Sequence, residues 1–325
     1  MFSISRYMWT GTVQDYILLG LTVVLLLCVR SIRRRWWSCE GNLSSNADVR
    51  SLREPPEITV LEDQESRQRA KQLYDAFLVL DVEGTCEGTK SFDYPNEIIE
   101  MCLLRWKDKD DEGLAECLEV VSEFRSFVKP TWRPQLSEFC TQLTGITQEQ
   151  VDSAPTFTEL VDSFREFLEA NGLIDPDTGR RLVKFCWCSD GPYDIRDFVV
   201  KQCFISKVPM PAWITGDVLD IRKAVHILLD AVLDKRSAIG EQSGQQHAFP
   251  ISRRVALTIP RQLASLSLAP FQGRQHSGID DARNIARILT ELPRRGVKLE
   301  PNMHVNPRKR WPWMGKRGKV LEDYI

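Results

Sequence analysis

Two carboxylates, spaced two residues apart, end an apolar run in this sequence. The stretch FLVLDVEGTCEG places Asp81 and Glu83 directly after four apolar residues. Alternate residues of a β-strand lie on one face of a sheet, so both carboxylates are expected to point the same way. Two acids that share a face beside a core lose hydration and repel each other, which predicts a positive partner between them. A divalent cation is the partner that this pattern favours.

Two later stretches offer further oxygen ligands and a base. In WCSDGPYDIRDF, Asp190 is interpreted as a turn or capping residue, and Asp194, just inside the next helix, as a metal ligand. In QHSGIDDARNIARIL, His276 lies on a glycine-containing loop and Asp281 in the first turn of an amphipathic helix. One of the adjacent acids Asp280 and Asp281 would serve only to favour the helix N-terminus. Four hard oxygen donors suit two Mg²⁺ or Mn²⁺ ions in phosphodiester cleavage, and a histidine would deprotonate the attacking water.

The composition restricts the classes of protein that remain. The chain has 325 residues, of which 42% are hydrophobic and 27% charged, as expected of a globular protein. Its formal net charge of -2 excludes a global basic field, so any nucleic-acid-binding surface must be local. Nine cysteines without a C-x-x-C spacing favour a reducing, intracellular compartment over a disulfide framework or a zinc site. Cys186 and Cys188 are expected to fill the core.

An apolar segment near the N-terminus predicts a membrane anchor. Residues 16–29 (YILLGLTVVLLLCV) carry no charge and precede Arg30 and a triple arginine at 33–35. Extended back to Met8 the segment, 8–29, has 22 residues, enough to span a bilayer. The arginines would keep the rest of the chain in the cytosol. The alternatives are a mitochondrial targeting segment and a surface-docked helix. The corresponding alternative locations are mitochondrial, or soluble in the cytoplasm or nucleus.

Hydrophobic periodicity predicts a mixed β-sheet flanked by helices, an α/β fold. Strands are predicted at 77–82, 98–106, 118–128, 182–188 and 218–221; helices at 136–143, 157–168, after Tyr193, at 260–269 and at 279–292. Thr156 and Glu159 form a capping box, and 237–246 reads as a surface loop. The predicted organisation is an apolar segment at 1–39, a polar tether at 40–74, a folded domain at 75–297 and a basic tail containing tryptophan at 298–325.

The order D-x-E, aspartate after an aromatic residue, then H-x4-D resembles the DEDDh 3′-to-5′ exonucleases, whose fold is RNase H-like. FLVLDVEGTCEG, YPNEIIEMCLL, LSEFCTQLTGITQEQVDSAPTF, SDGPYDIRDF and HSGIDDARNIARI resemble the branch of the enhancer-of-RNAi and histone-mRNA stem-loop exoribonucleases, over about 75–296. The resemblance implies two metal ions, release of 5′-nucleotides from single-stranded RNA 3′ ends or overhangs, and a histidine base. Its metal ligands and base are Asp81, Glu83, Asp194, Asp281 and His276.

The resemblance also implies three substrate contacts. Tyr193 occupies the position of an aromatic residue that packs on the terminal base, and Phe139 would cover the opposite face of that base. A core position within its own helix is an equally open reading of Phe139. Thr85 would lie near the terminal ribose.

Two features depart from the resemblance. The N-terminal nucleic-acid-binding module of the stem-loop enzymes is replaced by the apolar segment and the tether, so specificity for the histone stem-loop is not implied. The segment PRKRWPWMGKRGK, 307–319, has six cations around two tryptophans. It reads equally as an RNA-guiding tail or as a packed or solvated terminus, with a localisation signal as a further alternative.

Three other functions stay open from the sequence. Haloacid-dehalogenase-type phosphatases begin with a strand-ending D-x-D-G-T, which DVEGT resembles, but their second acid is normally aspartate. A protein that binds nucleic acid without cleaving it would have no need of all five matched residues. A DNA-directed exonuclease is the third alternative, because these motifs do not reveal recognition of the 2′-hydroxyl.

Overall fold

The fold is a mixed β-sheet with helices on both faces. The computed structural model describes residues 70–88, 93–106, 113–115, 118–238 and 257–324. The strands are β1 (Ala76–Gly84), β2 (Ile98–Trp106), β3 (Val120–Phe127), β4 (Phe185–Ser189) and β5 (Val218–Asp220), in the order β3-β2-β1-β4-β5. The first three pair antiparallel, and β1-β4 and β4-β5 pair parallel. The predicted mixed sheet is therefore confirmed.

The described helices follow the strands, and two of the helices, Gln148–Asp152 and Ile221–Ala238, were not predicted from the periodicity. They are α1 (Glu138–Thr144), α2 (Gln148–Asp152), α3 (Phe157–Ala170), α4 (Val200–Ile205), α5 (Ile221–Ala238), α6 (Ile259–Ser265) and α7 (Gly278–Arg294). A π-helical turn at Asp194–Val199 leads directly into α4. The predicted start of α3 is confirmed, because the backbone N–H of Thr156 donates to Glu159 at 2.8 Å.

The central strand β1 divides the core into two layers. Leu78 and Leu80 belong to the layer under α3, whereas Phe77 and Val79 belong to the layer under α7. This alternation follows from the two-residue period of a strand. It places the odd-numbered residues of β1 on the face that α7 covers.

Three predicted elements were wrong in extent. The strand predicted at 182–188 begins only at Phe185, because Leu182 lies outside the sheet with 58% of its surface exposed. The helix predicted at 260–269 ends at Ser265, and Ser267 has a left-handed backbone, with φ of 54°. Helix α5 was not predicted, and residues 237 and 238 of the predicted loop belong to it. The remainder of that loop, 239–246, lies outside the described residues.

The C-terminal tail packs on the domain instead of extending from it. Trp311 and Trp313 are 6% and 1% exposed and join the core layer under α3. Their rings stack on each other with centroids 6.3 Å apart. The tryptophans therefore fill the core and are not available to stack on RNA bases, as the guiding-tail reading required.

The predicted membrane segment at 8–29 lies outside the described residues. Within the ranges that the structure describes, none of the helices combines the length and apolar character needed to cross a bilayer.

Candidate active site

The two acids of β1 lie at the end of the strand on the face covered by α7. Asp81 is buried, and Glu83 is partly exposed opposite Glu100 of β2. Pairing between the strands becomes irregular at Gly84, where a side chain would clash with the Phe198 ring at 2.4 Å. A glycine is therefore required where the strand end meets the π-helical turn.

The π-helical turn brings Asp194 between the two acids of β1. Asp194 is its first residue, and Oδ1 of Asp194 accepts a hydrogen bond from the backbone N–H of Val82 at 3.3 Å. The carbonyl of Tyr193 accepts from the N–H of Phe198, five residues on, at 2.8 Å. Such π-helical turns are rare and occur often at functional sites.

The start of α7 supplies the last acid and the histidine. His276 has a left-handed backbone, with φ of 62°, and its N–H donates to Oδ2 of Asp281 at 2.7 Å. Ligand atoms of Glu83, His276 and Asp281 all lie within 4.8 Å of one another. The adjacent Asp280 accepts from the N–H of Arg274, so its carboxylate holds the loop. The structure thus brings the five predicted residues to one end of β1.

Burial and mutual repulsion raise the pKa of every acid in this cluster. Burial contributes most at Asp81 and Glu83, followed by neighbouring carboxylates, and both pKa values lie well above their usual range. Burial also raises the pKa of Asp194 and of Asp281 to about 7. Partial burial, and then the charge of Arg274, lowers the pKa of His276, which favours the neutral imidazole.

This donor set fits a divalent cation. Four carboxylates are held together although their charged forms are disfavoured, and a cation among them would relieve the repulsion while leaving them ionised. Carboxylate oxygens are the ligands that Mg²⁺ and Mn²⁺ prefer. Gly278 lets the start of α7 approach closely, since a Cβ there would lie 3.1 Å from Oε2 of Glu100 and 3.2 Å from Sγ of Cys102. The residues present therefore suit the metal that the sequence predicted.

A buried carboxylate that the sequence analysis missed connects the two halves of the site. Glu100 of β2 is fully buried; its Oε1 accepts from Nε of Arg125 at 2.6 Å, and its Oε2 from the N–H of Gly278 at 2.9 Å. It thereby fixes the N-terminus of α7 to the sheet beside Glu83. The available signal was an acid within the apolar run of YPNEIIEMCLL.

Asp190 has a different role from the predicted turn or cap. It is buried, and its carboxylate pairs with Arg222 at 2.5 Å and accepts from Nε2 of Gln262 at 2.7 Å. These bonds join the end of β4 to α5 and α6. Asp190 thus supports the site from the side opposite Glu100.

The three predicted substrate contacts surround the strand end. Tyr193 is 36% exposed and immediately precedes Asp194. Phe139 is partly buried, and its ring lies 3.5 Å from the position of a Cβ on Gly88. Oγ1 of Thr85 accepts from the N–H of Glu97 at 2.9 Å, so this side chain also shapes the strand end.

Comparisons with known proteins show to which family this chain is similar. The model of the exonuclease family RNase_T matches residues 78–203. The 3′-5′ exonuclease eri1 of Schizosaccharomyces pombe is 32% identical over 252 residues, which is 73% of this chain and 71% of that protein. The human ERI1 exoribonuclease 3 is 31% identical over 225 residues, 69% of this chain but only 56% of the relative.

A solved structure agrees in fold. The nuclease domain of 3′hExo, a DEDDh family member bound to rAMP, is 28% identical with a TM-score of 0.57, over 73% of this chain and all of that domain. The fold and the acidic strand end are those of an RNase H-like nuclease. The chain belongs to the DEDDh 3′-5′ exonucleases, in the branch of the eri1-type exoribonucleases. The haloacid-dehalogenase alternative is therefore wrong.

Proposed function

We propose that this chain removes nucleotides one at a time from single-stranded RNA 3′ ends and 3′ overhangs by metal-dependent hydrolysis. The observation that carries the proposal is the meeting of four buried or partly buried carboxylates with one histidine at the end of β1. The relatives named exoribonucleases, and the rAMP bound to a similar domain, favour RNA over DNA as the substrate.

In this proposal Asp81, Glu83, Asp194 and Asp281 hold two Mg²⁺ ions, for which Mn²⁺ can substitute. The bound ions would supply positive charge for the phosphodiester and a more acidic water. Neutral His276 takes a proton from the attacking water on a ring nitrogen. The water oxygen bonds to the last phosphorus, and the bond from phosphorus to the preceding O3′ breaks. The leaving O3′ takes a proton from solvent water, so the shortened RNA ends in a 3′-hydroxyl and a 5′-nucleoside monophosphate is released.

Aromatic and polar side chains at the strand end would select the 3′-terminal nucleotide. Tyr193 and Phe139 are assigned to the two faces of its base, and Thr85 to its ribose. Stacking on aromatic rings tolerates every base, which suits repeated removal of nucleotides. Truncation of Tyr193 is therefore expected to raise KM more than it lowers kcat.

The domain organisation is part of the proposal. Residues 75–297 form the exonuclease domain, and the segment at 8–29, followed by the tether at 40–74, would hold it on the cytosolic side of a membrane. Removal of 1–39 should then release the protein from a membrane fraction without loss of exonuclease activity.

The test uses the purified full chain with single-stranded RNA and matched DNA, labelled at either end, in Mg²⁺, in Mn²⁺ and in EDTA. We expect metal-dependent laddering of 5′-labelled RNA and release of labelled mononucleotide from 3′-labelled RNA. His276→Ala should abolish both, whereas Asp162→Asn, at an exposed acid of α3, should not. Faster degradation of DNA would favour the DNA-directed alternative. Binding without cleavage by the folded protein would favour the binding-only one.

A further inference from the structure

The C-terminal segment ends in a short basic hairpin. Residues Met314 and Val320 pair antiparallel, and the N–H of Gly315 donates to the carbonyl of Lys319 at 2.8 Å. At the tip the N–H of Lys319 donates to the carbonyl of Lys316 at 3.1 Å, and Arg317 and Gly318 both have positive φ, 54° and 73°. These features define a two-residue type I′ turn.

Buried tryptophans make this hairpin a rigid part of the domain. Nε1 of Trp313 donates to the carbonyl of Asp93 at 2.5 Å, and the Trp313 ring lies edge-on to Phe204 of α4. Lys201 of α4 points its ammonium at the ring of Trp311, 5.2 Å from the centroid. The cations between and beyond the tryptophans are consequently presented from a fixed base.

The exposed cations form one surface without a counter-charge. We call the exposed side chains of Lys207, Arg310, Lys316, Arg317 and Lys319 the basic surface. The hairpin tip lies against the end of α4, because a Cβ on Gly318 would lie 3.0 Å from the carbonyl oxygen of Phe204 and 2.5 Å from Cγ of Lys207, just beyond the helix. Lys207, Arg310 and Arg317 line one groove of about 540 Å³.

In the part of the chain that the structure describes, none of these five side chains has a carboxylate within 4 Å, although the whole protein carries a net charge of -2. Clustered cations repel one another, and the left-handed backbone of Arg317 is unfavourable for a residue other than glycine. A polyanion laid across the surface would offset the repulsion and release its own counterions.

A direct contact joins this segment to the helix of the active site. Nζ of Lys309 donates to Oδ1 of Asp197 at 2.7 Å, and Asp197 lies three residues after Asp194 in the π-helical turn. From Asp194 the helical segments run to Ile205, a distance of roughly 17 Å at about 1.5 Å per residue. A stacked strand rises about 3.4 Å per nucleotide, so roughly five nucleotides would cover that distance.

We propose that the basic surface binds the phosphates of the RNA strand about five nucleotides upstream of the 3′ end that occupies the active site. The inference rests on the proposed exonuclease function, to which it adds a second, sequence-independent contact. Phosphate contacts of this kind position a nucleic acid without reading its bases. Short products would lose this contact and dissociate more readily.

The test compares two triple variants with equal loss of charge. Lys316→Gln, Arg317→Gln and Lys319→Gln remove the hairpin cations, and Arg180→Gln, Arg294→Gln and Lys298→Gln remove exposed cations elsewhere. Each protein is assayed on a trinucleotide and on an RNA of about 15 nucleotides. We expect the hairpin variant to raise KM for the long RNA about tenfold, with kcat and trinucleotide hydrolysis unchanged, and the control variant to match the wild type.

Binding is measured in parallel by fluorescence anisotropy of the long RNA in EDTA at several salt concentrations. Loss of three phosphate contacts should reduce the slope of log K against log salt by roughly 2 for a single strand. Equal effects of the two triple variants, or equal losses on both substrate lengths, would overturn the proposal. So would unchanged RNA binding together with hairpin-dependent binding to phosphatidylserine vesicles, which would assign the surface to a membrane.

These assays also separate the two proposals. If the wild type cleaves neither substrate but binds the long RNA through the hairpin, the proposed hydrolytic function fails and the basic surface is supported. If it cleaves both substrates and the hairpin variant behaves as the wild type, only the basic surface fails.

Discussion

The acidic end of β1 and the basic hairpin are both clusters of like charge, but they differ in burial. The acids lie in or at the edge of the core, so burial and repulsion act together and raise their pKa values. The hairpin cations lie in solvent, where water screens most of the repulsion. A buried cluster needs a compact cation at a fixed position, whereas an exposed cluster suits a mobile polyanion.

The backbone stabilises the two clusters differently. Around the acids, N–H groups of Val82, His276 and Gly278 donate to Asp194, Asp281 and Glu100. At the hairpin, the backbone closes its own turn and its carbonyls at Met314 and Gly315 accept from Arg310, while within the described residues none of the hairpin N–H groups donates to a carboxylate. The backbone therefore fixes the orientation of the carboxylates in the active site. At the hairpin it fixes only where the charged side chains begin.

The largest expected effect comes from removing a charge of the acidic cluster. Asp81→Asn should lower kcat by about 1,000-fold, because charge neutralisation by a metal accounts for several kcal/mol of the barrier. The same change should leave the Tm in EDTA equal or higher, because it removes a repelling buried charge. The assay pairs hydrolysis of RNA with thermal unfolding in Mg²⁺ and in EDTA. A large loss of Tm in EDTA would mean that Asp81 serves folding instead.

A smaller effect is expected at Glu100, which we interpret as a positioning residue. Glu100→Gln should lower the apparent affinity of the enzyme for Mg²⁺ by about 10- to 100-fold, as is usual when a group that orients metal ligands is removed. The Mg²⁺ concentration at half-maximal rate is the quantity to measure. Glu123→Gln, on the neighbouring strand β3, breaks the exposed pair of Glu123 with Arg283 of α7; it is the matched control and should change that concentration less than about twofold. Equal shifts in both variants would contradict a specific role.

The pH dependence of stability tests the acidic cluster without catalysis. The pKa values of Asp194 and Asp281 are raised to about 7 from 3.8, so their contribution to stability is fully present below pH 4 and is lost as the pH rises through 7. In EDTA we expect Tm to fall by roughly 4 to 8 °C between pH 5 and 8, about 2 kcal/mol. Mg²⁺ should reduce that fall, because it favours the ionised carboxylates. A Tm in EDTA that rises over this pH range would contradict the raised pKa values.

Short-range sequence patterns were enough to predict the acidic cluster. Residues whose roles depend on long-range packing could not be predicted in the same way. Asp81 and Glu83 were predictable because their spacing and the apolar run belong to one strand. Glu100 was not, because its role depends on the pairing of β2 with β1 and on the approach of α7 from 178 residues away. The burial of Trp311 and Trp313 likewise depends on contacts with Asp93 and α4. Local composition favoured an exposed basic tail equally well.

The smallest expected effect concerns the strained cation at the hairpin tip. Arg317→Gly should stabilise the protein by about 1 kcal/mol, since glycine adopts the left-handed backbone without the steric penalty. The same change should weaken binding of long RNA in EDTA, because one phosphate contact is lost. Arg317→Gln keeps the strain and removes the charge, so it should weaken binding equally without the gain in Tm. If both variants bind RNA as the wild type does, the strain at Arg317 is unrelated to RNA, and the contrast with the acidic cluster loses its functional meaning.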